Sequence, residues 1–202
     1  MESRFRKLQN DKLKSFSKLC IDKKVIELGG TFSENNKRFF GLSKEYIITN
    51  YYDENCDRLE DITNLSYEHE SADVFVCISV LQHVFDYDKA ISEIIRVLKP
   101  GGIALITNGF LYPICMKEDY VRLTSRYWEK RLSSESVKYN IEMLGNRYNV
   151  IENLLMRPYS KVGGVLGLTN KVLAQIFRIL SKVYCKKDSY PLGVAVYIEK
   201  NH

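Results

Sequence analysis

The chain has 202 residues, 45% hydrophobic and 27% charged, with 30 Lys/Arg against 25 Asp/Glu for a net charge of +5. That length suits one domain able to bury a proper core, and the composition is that of a soluble globular protein. No apolar run reaches the roughly 18 residues a bilayer span needs, and Met1 to Lys7 has no apolar stretch of the kind that starts a secretory signal, so neither a membrane span nor export is expected and the expected location is the cytoplasm.

A helix is expected over Arg4 to Cys20. Lys23 to Leu28 then reads as a strand closed by Gly29 and Gly30, followed by a second strand at Tyr46 to Thr49. Asp73 to Ser79 is a third, apolar after its first residue, and Ile103 to Thr107 a fourth, entered through Lys99-Pro100-Gly101-Gly102. Strands apolar on both faces belong to a parallel sheet covered by helices. Between the last two, Asp86 can cap a helix whose Ala90, Ile91, Ile94, Ile95, Val97 and Leu98 recur at helical spacing, which makes a right-handed βαβ unit. Farther on, the pattern predicts a tyrosine-rich helical region over Ser125 to Leu144 ended by Gly145, a strand near Val150 to Leu155, a helix over Leu168 to Tyr184 that covers the sheet, and a strand at Gly193 to Ile198.

Five cysteines (Cys20, Cys56, Cys77, Cys115, Cys185) are scattered, with no C-x-x-C pair and no histidine at metal-ligand spacing, so free thiols and no metal site are expected. The positive charge is uneven. Ser160 to Lys187 holds Lys161, Lys171, Arg178, Lys182, Lys186 and Lys187 and no acid, a segment suited to phosphates or anionic lipid, or simply to water.

The run DVFVCISVLQHV from Asp73 to Val84, followed by RVLKPGG from Arg96 to Gly102, resembles the class I S-adenosylmethionine-dependent methyltransferases, specifically the type 11 methyltransferase domain. The resemblance covers about Lys23 to Thr107. DYVRLT, from Asp119 to Thr124, is similar to a segment of methyltransferases of surface-polysaccharide and glycolipid pathways.

The resemblance implies an α/β, Rossmann-like fold: a mostly parallel seven-stranded sheet with an antiparallel edge strand and helices on both faces. One domain over residues 1–202 is expected, with a helical segment (1–22), a cofactor-binding core (23–108) and an acceptor-side part that completes the sheet (109–202). The implied cofactor is S-adenosyl-L-methionine, with S-adenosyl-L-homocysteine as product. Glu27 would receive its ammonium, beside the turn of Gly29 and Gly30; Asn50 or Asp53 would take the ribose hydroxyls; Asp61 and Ile62 would meet the adenine; Ser79 and Val80 would floor the site. The family places further glycines where this chain has Thr31 and Ser33, and an acid where it has Asn50.

Methyl transfer from a sulfonium is an in-line displacement, so alignment and exclusion of water dominate. His83 and Asp119 are the candidate bases for a hydroxyl acceptor, His83 being equally suited to holding its loop. Tyr120 and Arg122 are candidates for binding a sugar or a neighbouring phosphate. As any single residue, Asp119 and Arg122 equally suit an ion pair, and Thr124 a helix cap. The expected function is O-methylation of a sugar, glycan or lipid-linked saccharide, with peripheral membrane contact through the basic helix 168–184 at the membrane's inner face. One rival is a non-catalytic binding protein, favoured by Thr31, Ser33 and Asn50. Another is a nucleic-acid methyltransferase, disfavoured because Ser79-Val80-Leu81-Gln82 stands where amino-methylating enzymes carry Asn/Asp-Pro-Pro-Tyr/Phe, and no Pro-Cys occurs.

Overall fold

In the computed structural model, which describes residues 3–156, 164–183 and 190–202, the strands are β1 (Lys24–Leu28), β2 (Glu45–Asn50), β3 (Arg58–Leu59), β4 (Ala72–Ile78), β5 (Leu98–Gly109), β6 (Val137–Leu144) and β7 (Gly193–Lys200). They form one sheet in the order β3-β2-β1-β4-β5-β7-β6. The first five run parallel. β7 lies antiparallel between β5 and β6, so the reversed strand sits one place in from the edge. The helices are α1 (Arg4–Phe16), α2 (Tyr87–Val97), α3 (Ser125–Leu132), α4 (Arg147–Met156) and α5 (Gly164–Val183).

Alternate residues of one strand serve opposite faces of the sheet. Phe75 and Cys77 of β4 meet Ile91 and Ile94 of α2 and Trp128 and Leu132 of α3, while Val74 and Val76 meet Leu13 and Phe16 of α1. Because both faces are covered, β4 is apolar from Val74 onward. The Asp86 carboxylate caps α2 by accepting from the Lys89 N–H at 3.2 Å. Burying Ile91 and Ile94 completely contributes about 2 kcal/mol each.

Between β1 and β2 the chain makes only a single 3-10 turn, Lys37–Phe39. The ring of Phe40, 5.2 Å from that of Tyr46, fills that flank of the sheet.

The expected helix over Ser125 to Leu144 and strand over Val150 to Leu155 are both corrected. Thr124 caps α3 by accepting from the Tyr127 N–H, but the helix stops at Leu132, and Val137, Tyr139, Ile141 and Met143 alternate with polar residues along β6. That period of two serves an edge strand with one face wet. Gly145, at φ +79°, turns this strand into α4, whose first N–H groups are capped by Asn146 Oδ1, accepting from Tyr148 and Asn149. With β6 on the outer edge of β7, residues 150–155 have no strand to pair with. The long helix is also placed differently: α5 packs chiefly on α4, through stacked rings of Tyr148 and Phe177, an Arg178–Glu152 ion pair at 2.7 Å and an Asn146 amide donating to the Ser181 carbonyl. Its expected last residue, Tyr184, and Lys161, Cys185, Lys186 and Lys187 lie outside the described residues.

Candidate functional site

At the carboxyl ends of β1, β2 and β4 lies a cleft of about 1670 Å³, the position at which open parallel sheets bind ligands. Its floor is the turn after β1. Gly29 has φ +78°, and a Cβ there would stand 2.5 Å from Val80 Cγ2; at Gly30 a Cβ would stand 2.8 Å from the Glu27 carboxyl carbon. Only glycine permits both the dihedral and that approach. Beyond the turn, Thr31 Oγ1 accepts from the Glu34 N–H and contacts Ser33 Oγ at 3.2 Å, so side-chain hydrogen bonds tighten this loop where further glycines were expected.

Glu27 is buried behind that loop. Its carboxylate accepts from the Asn36 N–H at 3.0 Å, the Asn36 amide and the Tyr46 hydroxyl at 2.7 Å. Burial pushes its pKa up, and the hydrogen bonds and the nearby Arg6 charge pull it back. Asn36 is in turn gripped by Arg6 Nη2, which donates to its Oδ1 at 2.9 Å. On β2, Asn50 Oδ1 accepts from both Tyr52 and Asp53 N–H groups while Nδ2 donates to the Gly30 carbonyl, so Asn50 braces the loop that presents Asp53 to the cleft. Asp61 Oδ1 accepts from the Thr63 N–H and hydroxyl, each at 2.8 Å.

Ser79 takes φ +59°, a left-handed conformation costing about 1–2 kcal/mol outside glycine. It is held by its N–H to the Thr107 carbonyl and by Gln9, whose buried amide donates to Ser79 Oγ and Thr107 Oγ1 at 2.7 Å each. The first half of α1 thereby becomes a wall of the cleft, with Ser3, Phe5, Arg6 and Gln9 facing it.

His83 Nδ1 lies 2.5 Å from the Glu118 carbonyl oxygen. A carbonyl only accepts, so Nδ1 carries the proton, and in the neutral ring Nε2 is the lone-pair nitrogen. One side chain therefore both ties down the 110–124 loop and offers a base. Asp119 and Arg122 pair with each other, and Asp119 also accepts from the Cys115 N–H. The Arg122 hydrogen bonds hold the Asp119 carboxyl below its usual range, which weakens it as a base. Tyr120 stands on the cleft wall with its ring 5.6 Å from that of Phe85, edge to face.

The cleft thus brings together Glu27, Gly29, Asn50, Asp53, Asp61, Ile62, Ser79, Val80, His83 and Tyr120. Gly30, Asp119 and Arg122 are not among its lining residues. Arg6, Gln9, Asn36, Gln82 and Phe85 line it without having been singled out from the sequence. Ser3, which caps α1 by accepting from the Arg6 N–H, signals the helix; nothing local signals that the helix faces the cleft.

Residues 26–106 match a family model described as a methyltransferase domain. A tRNA (carboxymethyluridine(34)-5-O)-methyltransferase of Macaca fascicularis is 26% identical over 122 residues, which cover 51% of this chain and 17% of that protein. The chain spans less than a fifth of the length of the curated relatives it matches. A SAM dependent methyltransferase from Archaeoglobus fulgidus superposes with a TM-score of 0.61 at 13% identity, covering 98% of this chain and 95% of that one. A Haemonchus contortus phosphoethanolamine N-methyltransferase 2 in complex with S-adenosyl-L-methionine gives 0.61 at 15% identity, covering 96% and 52%. These likenesses show a Rossmann-like fold shared with S-adenosylmethionine-dependent methyltransferases.

Proposed function

We propose that this chain, an enzyme with the fold of the S-adenosylmethionine-dependent methyltransferases and a matching methyltransferase-domain core, methylates a hydroxyl of a sugar, glycan or lipid-linked saccharide. The observation that carries the reading is His83, on the cleft wall with Nδ1 committed to a carbonyl and Nε2 left as the base. A sugar hydroxyl is a weak nucleophile, and partial proton removal by a positioned imidazole is worth about 10²–10⁴-fold.

The residues fit the cofactor. The Gly29–Gly30 turn is a cradle that a Cβ would fill. Buried Gln82 Oε1, on the cleft wall, has no hydrogen-bond partner among the described residues, so it is an acceptor in want of a donor. Asp53 would take the ribose hydroxyls, Asp61 and Ile62 the adenine, and Glu27 with Asn36 and Arg6 the charged amino-acid end. When bound, S-adenosylmethionine supplies the methyl group as an activated sulfonium. Ser79 and Val80 shape the floor beneath the acceptor. Tyr120 and Phe85 offer aromatic faces at the rim for a sugar ring.

Two other readings each rest on one observation. The name of the Macaca relative favours an RNA acceptor, and the 3-10 turn in place of a helix after the glycine turn favours a binding protein without turnover, since a helix dipole is missing there. Calorimetric titration with S-adenosylmethionine and S-adenosylhomocysteine, with Asp61→Ala as control, comes first. Micromolar binding lost in the variant supports the site, and absence of binding to either overturns methyl transfer. Tritiated-methyl transfer to lipid-linked saccharides but not to tRNA, reduced about 100-fold in His83→Ala, supports the saccharide acceptor; the reverse preference overturns it.

A further inference from the structure

α5 turns its apolar side away from the protein. Leu168, Val172, Ile176, Ile179 and Val183 recur every three or four residues and so share one face, and they are between 47% and 70% exposed. Leu173, 43% exposed, extends the strip on one flank. Lys171, Gln175 and Lys182 form the adjoining row on the other. The opposite side holds the buried positions Ala174 and Ser181, where α4 packs. Single exposed leucines are ordinary, but an unbroken apolar face four turns long calls for a partner.

The charge on the helix decides which partner. Lys171, Arg178 and Lys182 are its charged residues, and it has no acid. Arg178 pairs with Glu152 on the protein side, and Lys171 and Lys182 border the apolar face. A second copy packed through the same helix would bring more cations to that face and no acid from α5 to meet them. An anionic bilayer offers hydrocarbon for the apolar face and phosphates for the lysine row, the arrangement of a helix lying in a membrane interface. No helix among the described residues is long and apolar enough to cross a membrane, so the contact is peripheral.

We propose that α5 docks this protein on an anionic lipid surface, inserting Leu168, Val172, Ile176, Ile179 and Val183 below the headgroups with Lys171 and Lys182 at headgroup level. The position of α5 makes the docking useful. Gly109 at the end of β5 and Leu144 at the end of β6 both pair with Gly193, so the start of α4 and the Ser181 carbonyl it holds lie along the same carboxyl-end edge of the sheet as the cleft, outside the cleft's own lining. A docked α5 brings that edge to the lipid, as a lipid-linked acceptor requires. In this last respect alone the inference rests on the acceptor class proposed above.

Flotation of the full chain with phosphatidylcholine vesicles, with and without phosphatidylglycerol, tests it. Binding should require the anionic lipid and weaken about tenfold as salt is raised to physiological strength. Ile179→Glu and, independently, Val172→Glu should each lower vesicle affinity at least about tenfold, and Lys171→Glu about fivefold or more. No binding, equal binding to neutral vesicles, or binding indifferent to both glutamate variants overturns the proposal. So does a concentration-dependent dimer that the same variants dissolve. The calorimetric titration run on these variants should match wild type. Vesicle binding without cofactor binding would remove methyl transfer and leave docking; cofactor binding without vesicle binding would do the reverse.

Discussion

Alanine at Gly29 would meet two separate obstacles, and their sizes can be worked from the structure. Its backbone φ of +78° costs a residue with a Cβ about 1–2 kcal/mol. The Cβ would also stand 2.5 Å from Val80 Cγ2 and 3.2 Å from Cγ1. Rotation of a β-branched side chain cannot clear both contacts, so the backbone after β4 must shift, at about 1–3 kcal/mol. Gly29→Ala should therefore destabilise the protein by about 3 kcal/mol, read from urea unfolding, and weaken S-adenosylhomocysteine binding at least about tenfold, because both residues line the cleft. Gly29→Ala/Val80→Ala removes the collision and leaves the dihedral, so it should recover the part of the loss due to repacking. Gly41, with nothing within 4 Å of a Cβ, supplies the control: Gly41→Ala should be neutral or stabilising by up to about 1 kcal/mol. A Gly29→Ala protein within about 0.5 kcal/mol of wild type, or a double variant no better than the single, would refute the close approach of these two turns.

Asp119, lowered by its Arg122 partner, contributes stability that is complete above the ordinary carboxylate value of 3.8 and is lost as pH falls through the lowered one. Asp119→Asn should cost about 2 kcal/mol at pH 7, a deficit that shrinks in strong acid when unfolding is followed at several pH values. Glu27 behaves oppositely: its pKa is raised above 4.5, so stability declines as pH climbs through the raised value. Tyr46→Phe removes the hydroxyl that donates to the buried Glu27 carboxyl and should destabilise by about 1–2 kcal/mol, by the same unfolding measurement. Among the thiols, Cys20 and Cys77 are buried and pushed up to about 12 by desolvation; Cys115 is also raised, by desolvation and the Asp119 charge, but is exposed to reagent on the cleft wall. Iodoacetamide at pH 8 followed by peptide mass spectrometry should modify Cys115 and spare the other two.

Helix and strand after residue 132 come in the opposite order to that expected, because Val150 and Ile151 are β-branched and the 137–144 stretch is polar. Edge strands carry polar residues on their wet face, and a short helix can carry β-branched ones when caps and neighbours favour it. Which of the two segments joined the sheet depended on the free edge of β7, a partner about 50 residues away in sequence. The misplacement of α5 has a similar cause. Its amphipathic pattern shows an apolar face but does not say whether protein or something else meets it.

Two kinds of information separate cleanly. The sequence by itself determined the parallel core, because β1, β2, β4 and β5 carry runs apolar on both faces, the Asp86 cap and the glycine turns mark where those runs begin and end, and all of these are local signals. The resemblance to methyltransferase domains pointed to Glu27, Asp61, Ser79 and His83, and the structure brings all four to one cleft at the carboxyl ends of the strands. Only the tertiary structure decided what those residues touch: that Asn36 and Arg6 close over Glu27, that Gln9 of α1 props the strained Ser79, that Asp119 turns to Arg122, and that α5 shows its apolar face to the outside. Each of these depends on a side chain meeting a partner distant in sequence, and packing sets such meetings where propensity cannot.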